Sequence, residues 1–384
     1  MYPTIDPQPI AAFLDPHHLD WLNIRTNNLA TLRDRFATPQ NDDEARIQSP
    51  HIVLQLGHDN WMEAIDPLDL RACCLARELL STWSPLADAL YALQCLGSMP
   101  IALSGSEAQK QEVLRASQSG AEILGFAMTE PEAGSDVGSM KTVATKQDGH
   151  YVIHGRKTLI SNAGIANRYV VFASTDTKQG SRGLSCFVLK ANTPGLVFEK
   201  AQTLGHPHPI GELKFDDCRV GPEAIIGEEG NGFRIGMTSL DRLRPTVGAA
   251  ACGMATRAIF EAKQYAKSRR QFGKSLAEFQ IIQSKFADMA IRLHAARLLV
   301  YRAAWEQDSG ATTVSVSASM AKAFATEVAQ TIIDQAIQII GGKACLAEHP
   351  LQHLYQAVRP LRIYEGTTEI QHLLIAKHLL AKEE

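Results

Sequence analysis

The spacing of apolar residues changes twice along the chain, and this change constrains the fold more than any other feature. Residues 68–96 place Leu, Ala and Cys at three- and four-residue intervals, as a buried helix does, and Pro85 stands where a second helix would begin. Residues 151–215 hold short β-branched and aromatic runs between turns, which predicts a small antiparallel barrel or sandwich. From Phe233 onward the helical spacing returns. The order α, β, α argues against a Rossmann sheet.

Shorter patterns refine this outline. Ser106 and Gln109 form a capping pattern that predicts a short amphipathic helix over 105–116. Buried stripes are expected on two later helices. One stripe is Phe324, Val328, Ile332, Ala336 and Ile340, and the other is Ile281, Ile282, Phe286, Met289 and Leu293. The predicted strands are 151–154, 169–174, 184–189, 196–198 and 212–215.

Composition limits the classes of function. The 384 residues carry a formal net charge of −3 with a pI near 6.5, which argues against nucleic-acid binding. We find no apolar run long enough to cross a bilayer and expect no membrane association. The first 24 residues contain no Lys or Arg, so neither a secretory signal nor a transit peptide is expected. A cytoplasmic location is therefore predicted.

Neither the cysteines nor the histidines suggest a metal. The seven cysteines include no Cys-x-x-Cys pair and are expected to be reduced and mostly buried, with Cys345 used in packing. The pairs His17-His18 and His206/His208 have no third ligand beside them in the sequence. We expect no metal site.

Nucleotide and hydrolase motifs are also missing. We find no Gly-x-Gly-x-x-Gly after a strand, no Walker loop and no Gly-x-Ser-x-Gly. The one dense glycine cluster, 227–232, contains two glutamates and is a poor phosphate site. It is interpreted as a turn into the following helix.

Two segments could carry chemistry. Residues 126–136 (FAMTEPEAGSD) begin like a strand and end in small residues whose amides and hydroxyls could bind a flat polar ligand, although an ordinary strand-to-turn corner is an alternative. Residues 363–371 (IYEGTTEIQ) form a turn between two apolar helices. Partial desolvation there would raise the pKa of Glu365 toward that of a useful base. The alternative is that Glu365 caps the next helix.

With four further segments, these two resemble the acyl-CoA dehydrogenase family over roughly residues 68–384. The matching segments are 126–136, 157–162 (KTLISN), 240–244 (LDRLR), 269–273 (RRQFG), 338–342 (QIIGG) and 363–371, in the family's order. The resemblance implies an α+β fold with three domains. These are an N-terminal α-helical domain over 1–122, a middle β-barrel or sandwich domain over 123–224 and a C-terminal four-helix bundle over 225–384.

The resemblance also assigns residues to ligands. It implies FAD as cofactor and a homo-oligomer, dimer or tetramer, in which Arg269 reaches the flavin diphosphate of a neighbouring subunit. Residues implied at the cofactor are Phe126, Met128, Thr129, Ser135, Leu159, Ile160, Ser161, Arg269, Gln271, Phe272, Gln280, Gln338, Gly341, Gly342, Thr367 and Glu369. Residues implied at the acyl-CoA substrate are Ser135, Asp241, Arg244 and Gly366.

The implied reaction is α,β-dehydrogenation of an acyl-CoA thioester to the trans-2-enoyl-CoA. Glu365 would take the α-proton while flavin N5 accepts the β-hydride. In the family, a flavin ribityl hydroxyl and the backbone N–H of the base stabilise the enolate oxygen. Some members carry the base on the helix holding 240–244, but Leu243 stands there in this chain, which leaves Glu365 as the only base.

The chain departs from the family in two places. Its first 67 residues lack the usual Glu-Glu-Tyr-Gly-Gly-type stretch, and Leu159 stands where a tryptophan commonly covers the flavin. The electron acceptor, electron-transfer flavoprotein or another, therefore stays open. So do an oxidase or flavin monooxygenase on the same scaffold, a non-catalytic acyl-CoA- or partner-binding scaffold, the nature of the acyl group, and a carrier-protein thioester in place of CoA.

Overall fold

The computed structural model describes residues 2–311 and 313–381, which fold into two compact units. The first unit comprises Met1–Asp34, Asp69–Asp88 and Asp241–Glu384, and the second comprises Arg35–Leu68 and Ala89–Leu240. The limits at 88 and 240 fall inside two long helices. The predicted domain limits at 122 and 224 stay predictions.

Both units contain α-helices. They are α1 (Pro16–Arg35), α2 (Asp42–His58), α3 (Leu70–Ser81), α4 (Pro85–Ser104), α5 (Glu107–Gln109), α6 (Arg115–Gln118), α7 (Gly232–Ser268), α8 (Gln280–Asp308), α9 (Ser315–Ile340), α10 (Pro350–Leu361) and α11 (Thr368–Leu379). Pro85 begins α4 as predicted. The turn predicted at 227–232 leads into α7, with Gly227 and Gly230 at positive φ.

The capping pattern of Ser106 and Gln109 is confirmed, because each side chain accepts the backbone N–H of the other residue. The helix that follows is not the single amphipathic helix predicted. After α5 it passes through a π-helical segment, Lys110–Leu114, before α6.

One eight-stranded sheet lies in the second unit. Its strands are β1 (Leu124–Ala127), β2 (Val143–Gln147), β3 (His150–Ser161), β4 (Arg168–Ser174), β5 (Leu184–Lys190), β6 (Leu196–Gln202), β7 (Ile210–Val220) and β8 (Ile225–Ile226). They lie in the order β6-β7-β3-β2-β4-β5-β8, with β1 pairing parallel to β4. The α+β class is confirmed. The sheet is mixed rather than wholly antiparallel, because β1 and β2 both run parallel to β4.

The core of the second unit lies where α7 crosses the sheet. Met128, Phe172 and Ile235 are buried in one apolar cluster. A Cβ at Gly236 would stand 2.5 Å from the Met128 methyl carbon, so a glycine is needed for this close approach. The residues after β1 are thereby held against α7.

The two predicted stripes have different outcomes. On α9, four of the five residues are buried, and Phe324 is 39% exposed. On α8, Met289 is buried but Ile281 is 70% exposed, so burial of this stripe within the chain was predicted wrongly. The buried face of α8 lies later, around Ala296, Val300 and Tyr301. The first half of α8 therefore presents apolar surface.

One described helix, α4, is long and apolar enough to cross a bilayer, contrary to our expectation from the sequence. However, 78% of its apolar window is buried inside the protein. Burial of this extent is what a core helix shows.

All seven cysteines are free, and six of them are buried. Cys345 is exposed, so the packing role predicted for it was wrong. His17 and His18 do have further ligands nearby, because Asp15 lies in the same cluster and Asp69 contacts both rings at 3.1 Å. His18 already uses both ring nitrogens, one toward Asp69 and one accepting the backbone N–H of Asp15. Hydrogen bonding within the protein thus accounts for the buried histidine.

Candidate active site

The turn between α10 and α11 holds its glutamate in an uncommon conformation. Glu365 has φ 54° and Gly366 has φ 87°, both in the left-handed region. For a residue with a side chain this conformation costs roughly 1–2 kcal/mol, so surrounding structure must hold it in place. The side chain of Thr367, not that of Glu365, caps α11 by accepting the N–H of Ile370 at 3.3 Å. The capping alternative for Glu365 is therefore wrong.

Three helices fix this turn through its carbonyl groups. Arg244 Nε of α7 donates to the Glu365 carbonyl at 3.3 Å, and Lys322 Nζ of α9 donates to the Gly366 carbonyl at 2.6 Å. Gln371 Nε2 of α11 donates to both carbonyls, at 3.2 and 3.0 Å. A Cβ at position 366 would lie 2.4 Å from that nitrogen, so glycine is required there.

One carboxylate oxygen of Glu365 is buried without a hydrogen-bond partner. This oxygen, Oε2, has neither solvent contact nor a partner among the residues that the structure describes. Burial raises the pKa of Glu365 above its ordinary value, while the charges of Arg77, Lys322 and Arg244 oppose the rise. A desolvated carboxylate with an oxygen left unpaired is poised to accept a proton.

A buried ion pair lies beside this turn. Arg77 of α3 donates to both carboxylate oxygens of Asp88 in α4, at 2.8 and 3.0 Å, and to Thr246 Oγ1 at 3.1 Å. Both charges act on the pKa of Glu365, Arg77 lowering it and Asp88 raising it. Sequence reasoning missed both charged residues, although a charge within each apolar helical run was a visible signal.

Burial also acts on Lys322, one of the cations around the turn. Burial lowers the pKa of Lys322 to about 8, although the charge of Glu365 opposes this. Lys322, in an Ala-rich run, was also missed. Arg244, predicted at the substrate, forms an ion pair with Asp241, the other residue predicted there. The structure therefore brings Asp241, Arg244 and Glu365 together.

In the second unit, hydrogen bonds and an ion pair join the end of β1 to β3. Lys157 Nζ donates to the Met128 carbonyl at 3.0 Å and forms a buried ion pair with Glu130 at 2.8 Å. The Thr158 N–H donates to the Thr129 carbonyl at 3.0 Å. Burial lowers the pKa of Lys157 to about 8. The two segments predicted to meet the flavin ring thus lie side by side.

Around this junction, predicted cofactor residues differ in exposure. Leu159 has φ 55° and is 53% exposed, whereas Ile160 is buried. The Ser161 hydroxyl lies 2.7 Å from His208 Nε2, a contact that sequence reasoning missed. Phe126 packs on Phe172 with ring centroids 5.0 Å apart, and Ser135 is exposed in the loop after β1.

The other predicted cofactor residues lie on the first unit. A hairpin of β9 (Arg270–Gln271) and β10 (Lys274–Ser275) follows α7, and in it Phe272 is 93% exposed. Arg269, Gln271, Gln280 and Gln338 are exposed as well. A Cβ at Gly341 or Gly342 would meet nothing within 4 Å. Thr367 and Glu369 begin α11.

Comparison with known proteins agrees with this architecture. Residues 125–218 match the model of the acyl-CoA dehydrogenase middle domain, and residues 230–380 match that of the C-terminal domain. The short-chain specific acyl-CoA dehydrogenase of Megasphaera elsdenii is 40% identical over 316 residues, covering 81% of this chain and 82% of the relative.

Comparison with solved structures gives the same fold. Butyryl-CoA dehydrogenase from Megasphaera elsdenii superposes with a TM-score of 0.87 at 32% identity, covering 96% of this chain and 99% of that chain. The prolyl acyl carrier protein oxidase AnaB superposes with a TM-score of 0.85 at 27% identity, covering 96% and 100%. The chain therefore belongs to the acyl-CoA dehydrogenase family of FAD-dependent oxidoreductases.

Proposed function

We propose that this protein dehydrogenates an acyl-CoA thioester to the trans-2-enoyl-CoA, with Glu365 abstracting the α-proton. The observation that carries the proposal is the buried, unpartnered Oε2 of Glu365 on a left-handed turn held from three helices. A structural carboxylate at this depth would be expected to have its oxygens hydrogen-bonded. An oxygen left unpaired is available to a substrate proton.

The same turn supplies a donor for the substrate oxygen. The backbone N–H of Glu365 makes no hydrogen bond within the described part of the chain. A fixed N–H aimed at the thioester oxygen would stabilise the enolate charge that develops as the α-proton leaves. Gly366 and Ser135 are proposed at the thioester, with Asp241 and Arg244 toward the CoA arm.

The residues present suit FAD. The exposed Arg269 guanidinium fits a diphosphate, and the open Gly341-Gly342 turn lets the backbone approach a ligand closely. Thr129, Leu159 and Ser161 offer polar groups and an exposed aliphatic face to a flat ring. When bound, FAD accepts the β-hydrogen as hydride and passes its electrons on. The remaining cofactor residues keep the roles that the sequence predicts.

Partners and substrate size are proposals as well. A short acyl chain is supported by the short-chain specific relative. Electron-transfer flavoprotein is the proposed acceptor, and a cytoplasmic homo-oligomer the proposed form. Likeness to a prolyl acyl carrier protein oxidase, together with the exposed Leu159, favours a second candidate, an oxidase acting on a carrier-bound thioester. Peroxide formed in air would distinguish the oxidase.

A first test is anaerobic mixing of the purified protein with a panel of acyl-CoA thioesters, following loss of flavin absorbance. Bleaching by one class of thioester would identify the reaction and the substrate class together. A yellow protein that no CoA thioester bleaches would favour the carrier-bound substrate. A protein that does not retain FAD would favour a non-catalytic scaffold.

Glu365→Gln tests the base. The variant should retain FAD but lose about 10³-fold or more in the rate of flavin bleaching, since general-base catalysis alone contributes 10²–10⁴-fold. Glu348→Gln is the matched control, because Glu348 is an exposed acid to which no role in the site is assigned. Bleaching by Glu365→Gln at the normal rate would show that another group takes the proton.

A further inference from the structure

We propose that Lys322 and Glu327 of α9 are positioning residues, which hold residues 362–368 at two points so that Glu365 can take the substrate proton. The inference rests on the proposed role of Glu365 as base and goes beyond it. Neither residue belongs to the sequence motifs or to the segments that resemble the acyl-CoA dehydrogenase family.

Lys322 holds the middle of this segment. Its side chain is fully buried, and Nζ donates to the Gly366 carbonyl at 2.6 Å, which is the one hydrogen bond of this ammonium within the described part of the chain. A buried cation is costly unless it is paired or hydrogen-bonded, and the neighbouring buried positions of α9, Ala321, Ala323 and Ala325, are apolar. A position that served packing alone would be expected to carry an apolar side chain as well. The bond to the turn is therefore what the lysine provides.

Glu327 holds the two ends of the same segment. Its Oε1 accepts from Arg362 Nε at 2.7 Å and from Thr368 Oγ1 at 2.8 Å, and its Oε2 lies 2.6 Å from a second guanidinium nitrogen of Arg362. The Thr368 N–H donates to the Arg362 carbonyl at 3.1 Å. The two ends are thus joined to each other and to one carboxylate, and the two-point contact with the guanidinium fixes their orientation.

Held in this way, residues 362–368 form a closed loop with Glu365 at its centre. Helix α9 lies against both α10 and α11, the helices that the loop connects. Glu365 has a positive φ, which is unfavourable for a residue with a side chain, so a loop released from α9 would relax toward a commoner conformation. Relaxation would redirect the carboxylate and the backbone N–H of Glu365 together. A displacement of about 1 Å from the reacting atoms can slow the chemistry roughly 100-fold.

The experiment compares Lys322→Met, Glu327→Ala and the double variant with the unmodified protein. Each single variant should lower the rate of flavin bleaching at saturating thioester, per bound flavin, by roughly 10- to 100-fold, because the base is displaced rather than removed. The rate is taken on the plateau of its pH profile, where a changed proton affinity of Glu365 has no effect. The loss in the double variant should be smaller than the product of the two single losses, since both residues act on one loop.

A second readout separates the proton step from the hydride step. The flavin is reduced beforehand, the protein is mixed with the saturated thioester in D2O, and mass spectrometry follows deuterium entering at the α-carbon of the acyl group. No oxidised flavin is then present to accept hydride, so the exchange reports proton abstraction alone. Exchange should slow in the same variants by a similar factor. Residues that only stabilised the fold would lower the free energy of unfolding and leave exchange per bound flavin unchanged.

Two further variants in the same unit are the matched controls. Thr326→Val removes a buried hydroxyl of α9 that donates to backbone carbonyls of its own helix, at Lys322 and Ala323. Glu261→Ala breaks an ion pair within α7, in which Arg257 Nε lies 2.6 Å from the Glu261 carboxylate. Both should leave bleaching and exchange unchanged.

Unchanged bleaching and exchange in Glu327→Ala, or single losses that multiply in the double variant, would overturn the inference. Glu327 is partly exposed, and Arg244 and Gln371 still bond to the turn without it. This variant therefore decides the matter even where Lys322→Met fails to fold. If Glu365→Gln itself bleaches normally, the proposed function fails instead, and the two failures are therefore distinguishable.

Discussion

At the residue scale, the conformation of the 365–366 turn explains why a glycine follows the glutamate. Both residues have positive φ, but only Gly366 stands where a side chain would collide with Gln371. Alanine there would adopt the left-handed conformation at a cost of about 1–2 kcal/mol and would displace the amide that bonds both carbonyls.

Gly366→Ala should therefore lower the free energy of unfolding by about 1–2 kcal/mol or more and slow flavin bleaching strongly. Gly310→Ala is the control for bleaching, since Gly310 also has positive φ, lies outside the proposed site, and would carry a Cβ that meets nothing within 4 Å. Urea denaturation and single-turnover bleaching measure the two effects. Normal bleaching by Gly366→Ala would mean that the turn does not need its present geometry for proton transfer.

The sequence predicted those functional residues that lie within recognisable motifs. Glu365 and Arg244 belong to segments of recognisable pattern, and the structure brings them into contact through a backbone carbonyl. No recognisable segment contains Lys322, Arg77 or Asp88. The partner of Lys322 lies on a distant element, and Arg77 and Asp88 lie on opposite sides of the break at Pro85. Apolar periodicity cannot say which buried charge pairs with which.

At the element scale, segments with a clear apolar pattern were predictable and strands without one were not. The boundary between α3 and α4 follows from Pro85, and β3, β4, β5, β6 and β7 each contain one of the five predicted strands. Strand β2 was not predicted, because its outward residues are polar and its pairing partner is set by the sheet. The exposed start of α8 contradicts its apolar pattern, since periodicity predicts an apolar face but not what covers it.

His208, in the segment that leads into β7, makes contacts with both α2 and β3. The His208 N–H donates to Asp42 Oδ1 at the start of α2, and His208 Nε2 contacts Ser161 at the end of β3. Burial lowers the pKa of His208 from 6.5 to about 3, with smaller contributions from His206 and Arg46. Between about pH 3 and pH 6.5, His208 is therefore protonated in the unfolded chain but not in the folded protein.

Stability should therefore be full above about pH 6.5 and fall as the pH drops toward 3, with His208 contributing at most about 1.4 kcal/mol per pH unit. His208→Gln should flatten this part of the curve, measured as the urea midpoint against pH. The exposed His51→Gln is the control. An unchanged slope in His208→Gln would show that other groups cause the acid sensitivity.

At the scale of the whole molecule, one chain leaves large apolar side chains in solvent. Phe272 is 93% exposed, Ile281 70%, Ile291 69% and Leu373 65%, all on the hairpin and helices of the first unit. Exposed apolar groups of this extent mark interaction surfaces. The exposed cation Arg269 directly precedes the same hairpin. If a neighbouring subunit covers this surface and Arg269 binds that subunit's FAD diphosphate, subunit association and FAD retention would depend on each other.

Arg269→Ala should therefore weaken FAD retention and subunit association together, since one guanidinium would serve a diphosphate held across the interface. The ratio of flavin to protein absorbance after gel filtration and the mass from light scattering measure the two losses. Lys267→Ala removes an exposed cation two residues earlier, in the last turn of α7, and should change neither. Added FAD should restore the oligomer of Arg269→Ala if the cofactor mediates association. Normal flavin content in a stable oligomer would instead place Arg269 outside the cofactor site, and the apolar surface would then have to associate without it.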